Sequence, residues 1–418
     1  MLVVCALGLF LEVLEISFSN SLAAIFSAPK SGVTSGSLGL LLSSVYLGAI
    51  AGSPLFGYAC DRYGRVKALI AVLSVLAISS ACAAASLSMG WLVAARILTG
   101  VSIGAYQPVF VAYLTDVLPP KQRGLLFFSV IAFGFLGFPA GAFLIRFLTP
   151  IQPFGLEAWR CACLAGSGGS LLVALAACLL PESPRWLARR GRTEAAQAML
   201  RRFERSRVAV SSAHVDRGVE PASELPVALL ASRLQTVVIC AMFFVSPWAT
   251  VAFPILTGAV LMAKGFRLSD ALLYVGLSTF GPVLGTLLAA VYVDRIPRRG
   301  ALLICAVVML LSGYAFSNSD TANWLIGANL TFTIATVLYV PLLNVYCAEL
   351  LPTKARALVF SGAWTANRVG SAIAPLALVP LLHAMGPTAM FDVVALFLLI
   401  GLGLLAVSAP GRQRLPVL

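Results

Sequence analysis

Charged residues are scarce in this chain. Of its 418 residues only 11% are charged and 60% are hydrophobic, whereas soluble globular domains carry about 25% charged residues. The composition therefore excludes an ordinary soluble fold. Histidine is rarer still, and the two histidines, His214 and His383, are too few and too far apart in sequence for a metal site.

The sequence also lacks the patterns that enzymes use. It has no phosphate-binding loop, no cluster of metal ligands and no nucleophile paired with a base. Its nine cysteines are scattered, and the "CAC" at 161–163 has neither zinc nor redox-motif spacing. We therefore predict that the chain is not an enzyme and has no cofactor and no metal.

Long apolar runs are abundant instead. Runs of about 20 residues are long enough to cross a bilayer core of about 30 Å. They are continuous rather than alternating, which predicts helices. Twelve spans are predicted, at about 2–27, 37–58, 67–87, 89–117, 124–148, 158–180, 233–262, 269–291, 300–317, 322–350, 357–383 and 387–409. The first is not expected to be a signal peptide, because it is long and holds two acids.

The chain has a net charge of +13, and most of its basic residues lie in alternate loops. Basic residues cluster around 62–67, 121–123, 185–217, 295–299 and 354–356. The positive-inside rule then predicts that both termini and the central loop lie in the cytosol. The basic charge is thus assigned to a lipid bilayer, not to nucleic acid.

An internal repeat relates the two halves of the chain at a constant offset of 233 residues. "CDRYGR" at 60–65 matches "VDRIPR" at 293–298, and "YLTDVLPPKQRG" at 113–124 matches "YCAELLPTKARA" at 346–357. The repeat predicts an all-α polytopic membrane protein with twelve transmembrane helices in two pseudo-symmetric six-helix bundles. Residues 1–180 would form the first bundle and 233–418 the second.

The polar stretch 181–232 is predicted to be a cytosolic linker. Ser183 has the character of a helix N-cap and Pro184 of a first helical residue. An arginine-rich amphipathic helix is expected to follow at the membrane surface. Residues 206–232 are predicted to be a flexible tether.

These motifs resemble the major facilitator superfamily. "GYACDRYGR" at 57–65 fits that superfamily's G-x-x-x-D-R-x-G-R loop, and "PESPRWL" at 181–187 occurs in its sugar porters and organic-ion transporters. Three features resemble the branch of niacin, aromatic-acid and synaptic-vesicle-2-related members: an acid-x-x-acid in the first span, "VYCAELLPTKARAL" at 345–358 and "NRVGSAIAP" at 367–375.

The resemblance implies a cytosolic gate of loop charges, which holds the outward-facing state and breaks on inward opening. Its predicted members are Asp61, Arg62, Arg65, Asp116, Arg123, Glu182, Arg185, Asp294, Arg295, Arg298, Glu349 and Arg356. Ile296-Pro297 replaces Tyr63-Gly64 in the second half. The second gate is therefore expected to be weaker than the first.

Three ionisable residues within the spans are candidates for proton coupling: Glu12, Glu15 and Arg96. A charge at mid-bilayer costs roughly 2.5–3.5 kcal/mol, so we expect the two acids to face a wet cavity. Glu12 and Glu15 lie on one helical face, where a shared proton relieves their repulsion. A carboxylate that binds either a proton or Arg96 would couple transport to protons. The alternative is a static ion pair.

Arg368 is the strongest candidate for substrate binding, because a guanidinium suits carboxylate recognition. The alternative is that it pairs with an acid from another helix. Further predicted cavity residues are Asn367, Trp364, Tyr106, Gln107, Trp248, Tyr339 and Asn344.

Together these features predict a monomeric secondary transporter of the bacterial inner membrane, working by alternating access. Its expected cargo is a small organic anion, moved with protons. The alternatives are a sugar or polyol transporter, and a non-transporting receptor on the same scaffold.

Overall fold

The computed structural model of the chain describes residues 1–28, 31–118, 123–205, 229–292, 297–350 and 353–408. In these ranges the structure is helical and contains no strand. The first half holds α1 (Leu2–Phe26), α2 (Ser35–Tyr63), α3 (Arg65–Ala84), α4 (Met89–Val117), α5 (Arg123–Phe135), α6 (Gly137–Ile151) and α7 (Ala158–Ala177). The linker holds α8 (Pro184–Arg189) and α9 (Thr193–Arg205).

The second half is built in the same way. It holds α10 (Leu229–Pro247), a π-helical turn (Trp248–Ala252), α11 (Phe253–Ala263), α12 (Leu268–Ser278), α13 (Gly281–Tyr292), α14 (Arg298–Asn318), α15 (Ala322–Leu350) and α16 (Thr353–Val407). Several predicted spans are thus interrupted helices, such as α5–α6 and α12–α13.

Within the described residues, eleven helical stretches are long and apolar enough to cross a membrane. The last, Val359–Val407, has 49 residues, or roughly 73 Å at 1.5 Å per residue. That is more than twice a bilayer core of about 30 Å. Gly386 has a φ of +86° and interrupts this helix, so it supplies two crossings. The predicted all-α fold with twelve crossings is confirmed.

Local sequence determines where several helices begin. Thr34 caps α2 by accepting a hydrogen bond from the Ser37 backbone N–H at 3.3 Å, and Ser88 caps α4 in the same way at 3.2 Å. In the linker, the predicted helix start is present: Ser183 accepts from the Trp186 N–H at 3.1 Å, and Pro184 is the first residue of α8. The predicted tether falls mostly outside the described residues.

The two halves touch through several pairs of helices. Arg146 Nε at the end of α6 donates to the Ser269 carbonyl at 3.0 Å. A Cβ added at Gly258 would lie 2.9 Å from the Ala24 Cβ, and one added at Gly39 would lie 3.3 Å from the Pro375 carbonyl oxygen. Small residues therefore allow α1 to approach α11, and α2 to approach α16.

Candidate functional site

The predicted pairing of Glu15 with Arg96 is present deep inside the first half. Arg96 Nη1 lies 3.1 Å from Glu15 Oε2, and both side chains are at most 1% exposed. Arg96 Nη2 also donates to the Glu15 carbonyl at 3.0 Å and to Ser19 Oγ at 2.5 Å. The guanidinium thus binds α1 through three different acceptors, which fixes its orientation against the acid.

The second carboxylate oxygen of Glu15 is held by residues that sequence reasoning missed. Ser80 of α3 hydrogen-bonds to Glu15 Oε1, and the same hydroxyl lies 2.8 Å from the Cys163 carbonyl oxygen of α7. A Cβ added at Gly166 would lie 2.7 Å from Glu15 Oε1, so only glycine there lets the carboxylate reach α7. These partners lie 65 or more residues away in sequence, and no motif marks them.

The Ser80 hydroxyl has one proton but two acceptors. The Cys163 carbonyl oxygen can only accept. Both contacts are therefore hydrogen bonds only when Glu15 supplies the second proton. When Glu15 is ionised, Ser80 donates to one acceptor at a time. The site can thus accommodate Glu15 in both protonation states, with a different hydrogen-bond pattern in each.

The expectation that both acids face a wet cavity is wrong for this conformation. Glu15 is 0% exposed and Glu12 is 1% exposed. Glu15 is tolerated because Arg96 neutralises it and Ser80 binds it. Glu12 has no such shell, since its Oε2 has no hydrogen-bond partner among the described residues. The two acids, three residues apart, therefore occupy different environments.

Arg368 lies on α16, partly buried, with its guanidinium carbon 5.8 Å from the centre of the Trp364 ring. Among the described residues it forms no ion pair within 4.0 Å. Asn367 is engaged elsewhere, because its Nδ2 donates to the Phe243 carbonyl and to Ser246 Oγ, each at 3.2 Å.

Two further predicted cavity residues, Tyr106 and Gln107, lie on α4. Tyr106 is fully buried, and its hydroxyl donates to the Cys5 carbonyl at 2.8 Å beside Gly8. This hydrogen bond therefore joins α4 to α1. Gln107 is exposed on the face of α4 that carries Arg96, eleven residues or about three turns away.

The candidates in the second half have packing partners of their own. Trp248, in the π-helical turn, stacks on Phe397 at 3.8 Å and leaves its Nε1 without a partner among the described residues. Tyr339 is buried. Asn344 Oδ1 is buried and unpartnered within the same ranges. π-Helical turns are frequent at functional sites, and Trp248 and Asn344 each have a buried polar atom that no described residue binds.

The predicted gate of the first half is organised around Arg65. Its Nη1 lies 3.0 Å from Asp61 Oδ1 and its Nε lies 3.2 Å from Asp116 Oδ2. Ser183 of the linker adds a hydrogen bond to the same Asp116 oxygen at 2.8 Å. These contacts join α2, α3 and α4 to the linker. Whether they hold the outward-facing state stays a prediction.

Glu182 has a role that the sequence did not indicate. Its Oε1 accepts from the backbone N–H groups of Arg65 at 3.0 Å and of Val66 at 3.3 Å. Glu182 thus caps the N-terminus of α3 from the linker, where a negative charge also complements the helix dipole. Gly64, with a φ of +113°, permits this approach, because a Cβ there would lie 2.4 Å from Glu182 Oε2.

The remaining gate residues of the first half differ in their environments. Arg62 contacts the Tyr58 hydroxyl and lies over the Tyr58 and Tyr63 rings. Arg185 is exposed and outside this network. Arg190, which sequence reasoning missed, donates to the Asp61 and Arg62 carbonyls at 3.3 and 2.9 Å. The Arg123 side chain lies outside what the structure describes.

In the second half one predicted gate contact is described. Arg298 Nε lies 3.8 Å from Glu349 Oε1, and both side chains are more exposed than Arg65. Asp294, Arg295 and the Arg356 side chain lie outside the described residues. The described ranges contain no group of three His, Cys, Asp or Glu side chains that could hold a metal ion.

Fold and buried charges together define a polytopic membrane transport protein. The sequence profile of the family described as "Sugar (and other) transporter" matches residues 1–411. The chain therefore belongs to this family of major facilitator transporters. Its members are not enzymes, so that prediction is confirmed.

Three similar proteins illustrate the range of the family. The putative metabolite transport protein YdjK of Escherichia coli is 30% identical, over 89% of this chain and 80% of its own length. The niacin transporter NiaP of Acinetobacter baylyi is 24% identical, over 90% and 84%. A partially occluded inward-open structure of the E. coli xylose transporter XylE has a TM-score of 0.79 at 16% identity, covering 99% of each chain.

Proposed function

We propose that this protein is a proton-coupled transporter of a small organic anion, of the aromatic or heterocyclic carboxylate class. The observation that carries the proposal is Arg368. It presents a guanidinium beside the Trp364 ring, with no ion pair among the described residues. A fork of donors next to an aromatic face suits a flat carboxylate. The niacin transporter among the relatives supports the same class.

The proton would be carried by Glu15. When Glu15 is ionised, Arg96 binds its carboxylate at 3.1 Å. When Glu15 is neutral, its carboxylic O–H can donate a hydrogen bond to Ser80 Oγ. A buried group with partners for both states is suited to bind and release a proton during each cycle. A static ion pair would not need the second set of contacts.

The sugar or polyol alternative remains open, because "PESPRWL" occurs in sugar porters and the fold resembles that of a xylose transporter. A receptor without transport is a third possibility. The proposal includes the organic-ion branch of the superfamily, a monomer in the bacterial inner membrane, two six-helix bundles joined by the linker, and cytosolic termini. The substrate would bind near mid-membrane between the halves.

Flux through liposomes containing the purified protein separates these functions. An acid-outside pH step should drive accumulation of labelled nicotinate but not of labelled xylose. Arg368→Ala should weaken nicotinate binding by about 2–5 kcal/mol, roughly 30-fold or more in Kd. Arg368→Lys should restore only part of it, because a point charge does not reproduce the planar fork.

Arg192→Ala, at an exposed linker position, is the matched control and should transport as the unaltered chain does. Accumulation of xylose, with nicotinate ignored, would establish the sugar alternative. Absence of any flux from a folded protein would favour the receptor.

Glu15→Gln tests the coupling step, because glutamine resembles the protonated acid permanently. Uphill uptake driven by the pH step should vanish. Exchange of labelled for unlabelled substrate should survive, since exchange does not require an empty carrier with an ionised Glu15 to return. Glu194→Gln, on the exposed face of α9, serves as the control. Concentrative uptake by the Glu15→Gln protein would remove Glu15 from the coupling role.

A further inference from the structure

A proline interrupts the hydrogen bonds of the helix that begins the second half. Pro247 is the last residue of α10, with a helical φ of −70° and ψ of −14°, and the π-helical turn Trp248–Ala252 follows it. Proline has no backbone N–H, so it cannot donate to the carbonyl four residues earlier. That carbonyl belongs to Phe243, which is 1% exposed. A buried carbonyl without a donor is costly, particularly inside a membrane.

Side chains supply the donors for this carbonyl. Asn367 of α16 donates through Nδ2 to the Phe243 carbonyl and to Ser246 Oγ, each at 3.2 Å. Ser246 Oγ in turn donates to the Phe243 carbonyl at 3.1 Å. A carbonyl oxygen only accepts, so the amide nitrogen of Asn367 must face it. Asn367 is 7% exposed, and this contact joins two different spans.

Two further contacts join α16 to the same part of α10. The rings of Trp364 and Phe243 meet edge to face, with their centres 5.7 Å apart. A Cβ added at Gly370 would lie 2.3 Å from a backbone carbonyl oxygen of α10 and 2.9 Å from Pro247 Cγ. Trp364, Asn367 and Gly370 follow one another at intervals of three residues, which places them on one side of α16. This side of α16 therefore packs against the proline break.

Arg368 is attached to the break through these contacts. It follows Asn367 directly in the chain, and its guanidinium carbon lies 5.8 Å from the centre of the Trp364 ring. The Trp364 ring thus contacts both Phe243, beside the break, and Arg368. A shift of α16 relative to α10 would therefore displace the guanidinium.

We propose that Asn367 is a positioning residue for Arg368. Its amide supplies a donor in place of the N–H that Pro247 lacks, and this hydrogen bond holds α16 where Arg368 can bind substrate. Asn367 itself does not touch the substrate. The role of Arg368 rests on the proposed function, whereas the hydrogen bond to the Phe243 carbonyl does not.

Pro247→Ala tests this role, because it restores a backbone N–H at a position with helical φ and ψ. The restored N–H can bind the Phe243 carbonyl, so Asn367 is no longer needed there. In the purified full-length protein, Asn367→Ala should weaken nicotinate binding by roughly tenfold, as for one lost hydrogen bond. It should also lower the unfolding temperature. In Pro247→Ala/Asn367→Ala, both losses should shrink to less than about half, relative to Pro247→Ala alone.

Pro341→Ala is the matched control. Pro341 lies inside α15 of the same half, and the carbonyl four residues earlier belongs to Val337. An N–H restored in α15 does not reach the Phe243 carbonyl, so the losses caused by Asn367→Ala should be unchanged in Pro341→Ala. Equal suppression by both proline substitutions would overturn the proposal, because it would reflect a general gain in helix stability.

Calorimetric titration with nicotinate and thermal unfolding without ligand separate the possible roles of Asn367. If Pro247→Ala rescues the unfolding temperature but not the affinity, Asn367 binds the substrate directly and the positioning role is wrong. If Asn367→Ala leaves the affinity unchanged, Asn367 serves the fold alone. If neither loss shrinks, the Phe243 carbonyl is not the relevant acceptor.

Two outcomes need a further comparison. If Asn367→Ala does not fold by itself, recovery of folded protein in Pro247→Ala/Asn367→Ala, but not in Pro341→Ala/Asn367→Ala, supports the hydrogen bond. If the unaltered chain ignores nicotinate while the thermal rescue is present, the proposed function fails and the hydrogen bond stands. Titration of the same variants with xylose then decides the positioning role by the same criteria.

Discussion

The two halves carry the same motifs at an offset of 233 residues, yet their equivalent helix pairs pack differently. In the first half, Cβ atoms added at Gly48 and Gly52 of α2 would lie 1.9 and 2.0 Å from carbonyl oxygens of α4. In the second half, Cβ atoms added at the equivalent Gly281 and Gly285 of α13 would lie 2.0 Å from the Thr333 side-chain oxygen and 3.1 Å from the Ile334 carbonyl oxygen of α15.

The cause lies in the partner helix of each pair. α4 has Gly100 and Gly104 where α15 has Thr333 and Val337, so at these equivalent positions only the first pair has glycine on both helices. Backbones can approach most closely where both surfaces are small. The repeat thus preserves the fold of each half, but not how tightly its helices are joined.

The buried charges differ between the halves as well. Glu12, Glu15 and Arg96 are buried in the first half, whereas Arg368 in the second half is partly buried. Under the proposed function, the tightly packed half handles the proton and the more loosely packed half supplies the cation for the substrate. Three pairs of substitutions, one member in each half, break or sharpen this comparison.

The largest effect is expected from Arg96→Ala. It leaves Glu15 buried with its main partner removed, which should destabilise the protein by about 3–5 kcal/mol. Arg368→Ala in the second half should cost far less, because no ion pair of the described residues is lost. Thermal unfolding in lipid–detergent micelles measures both. Adding Glu15→Gln should recover most of the stability of Arg96→Ala. Equal destabilisation by the two arginine variants would contradict this asymmetry.

The glycine pairs give the next largest difference. Gly52→Ala places a methyl group against the Val101 carbonyl and should cost about 1–3 kcal/mol through displacement of α2 from α4. The equivalent Gly285→Ala has more room, and alanine favours the helix by about 1 kcal/mol. Its stability should be unchanged or slightly higher. The same unfolding assay applies, and a stable Gly52→Ala protein would show that this helix pair is not tightly joined.

The gate residues should show the smallest difference. Asp116→Asn weakens a contact with Arg65 at 3.2 Å and one with Ser183 at 2.8 Å, at a cost of about 1.5–3 kcal/mol. Glu349→Gln affects a more exposed pair at 3.8 Å, worth at most about 1 kcal/mol. Limited proteolysis within the linker reports on both. Faster cleavage in Glu349→Gln than in Asp116→Asn would reverse the predicted order of the two gates.

Much of the fold could be predicted from the sequence because its signals are local. Continuous apolar runs predict spans, and the offset between "CDRYGR" and "VDRIPR" predicts two related halves. The Glu15–Arg96 pair was predictable as well, since charges inside spans need partners. The sequence could not show that both acids of α1 are buried away from water, because burial depends on how the helices pack.

Two of the missed residues contact backbone carbonyl oxygens: Ser80 lies 2.8 Å from that of Cys163, and Arg190 donates to that of Asp61. Backbone acceptors are present at every position, so no residue type marks them. Tyr106 was placed in the cavity because it is an aromatic residue within a span. Gly8 provides the space that lets its hydroxyl reach the α1 backbone instead.

The cap on α3 has a consequence for how the chain matures during synthesis. α3 begins at Arg65, but the carboxylate that binds its first N–H groups belongs to Glu182, 117 residues later. A ribosome has therefore made all seven helices of the first half before the group that completes α3 is available. The nascent first half remains unfinished until the linker emerges, and a chain that stops after α7 would contain its helices without the residue that caps α3.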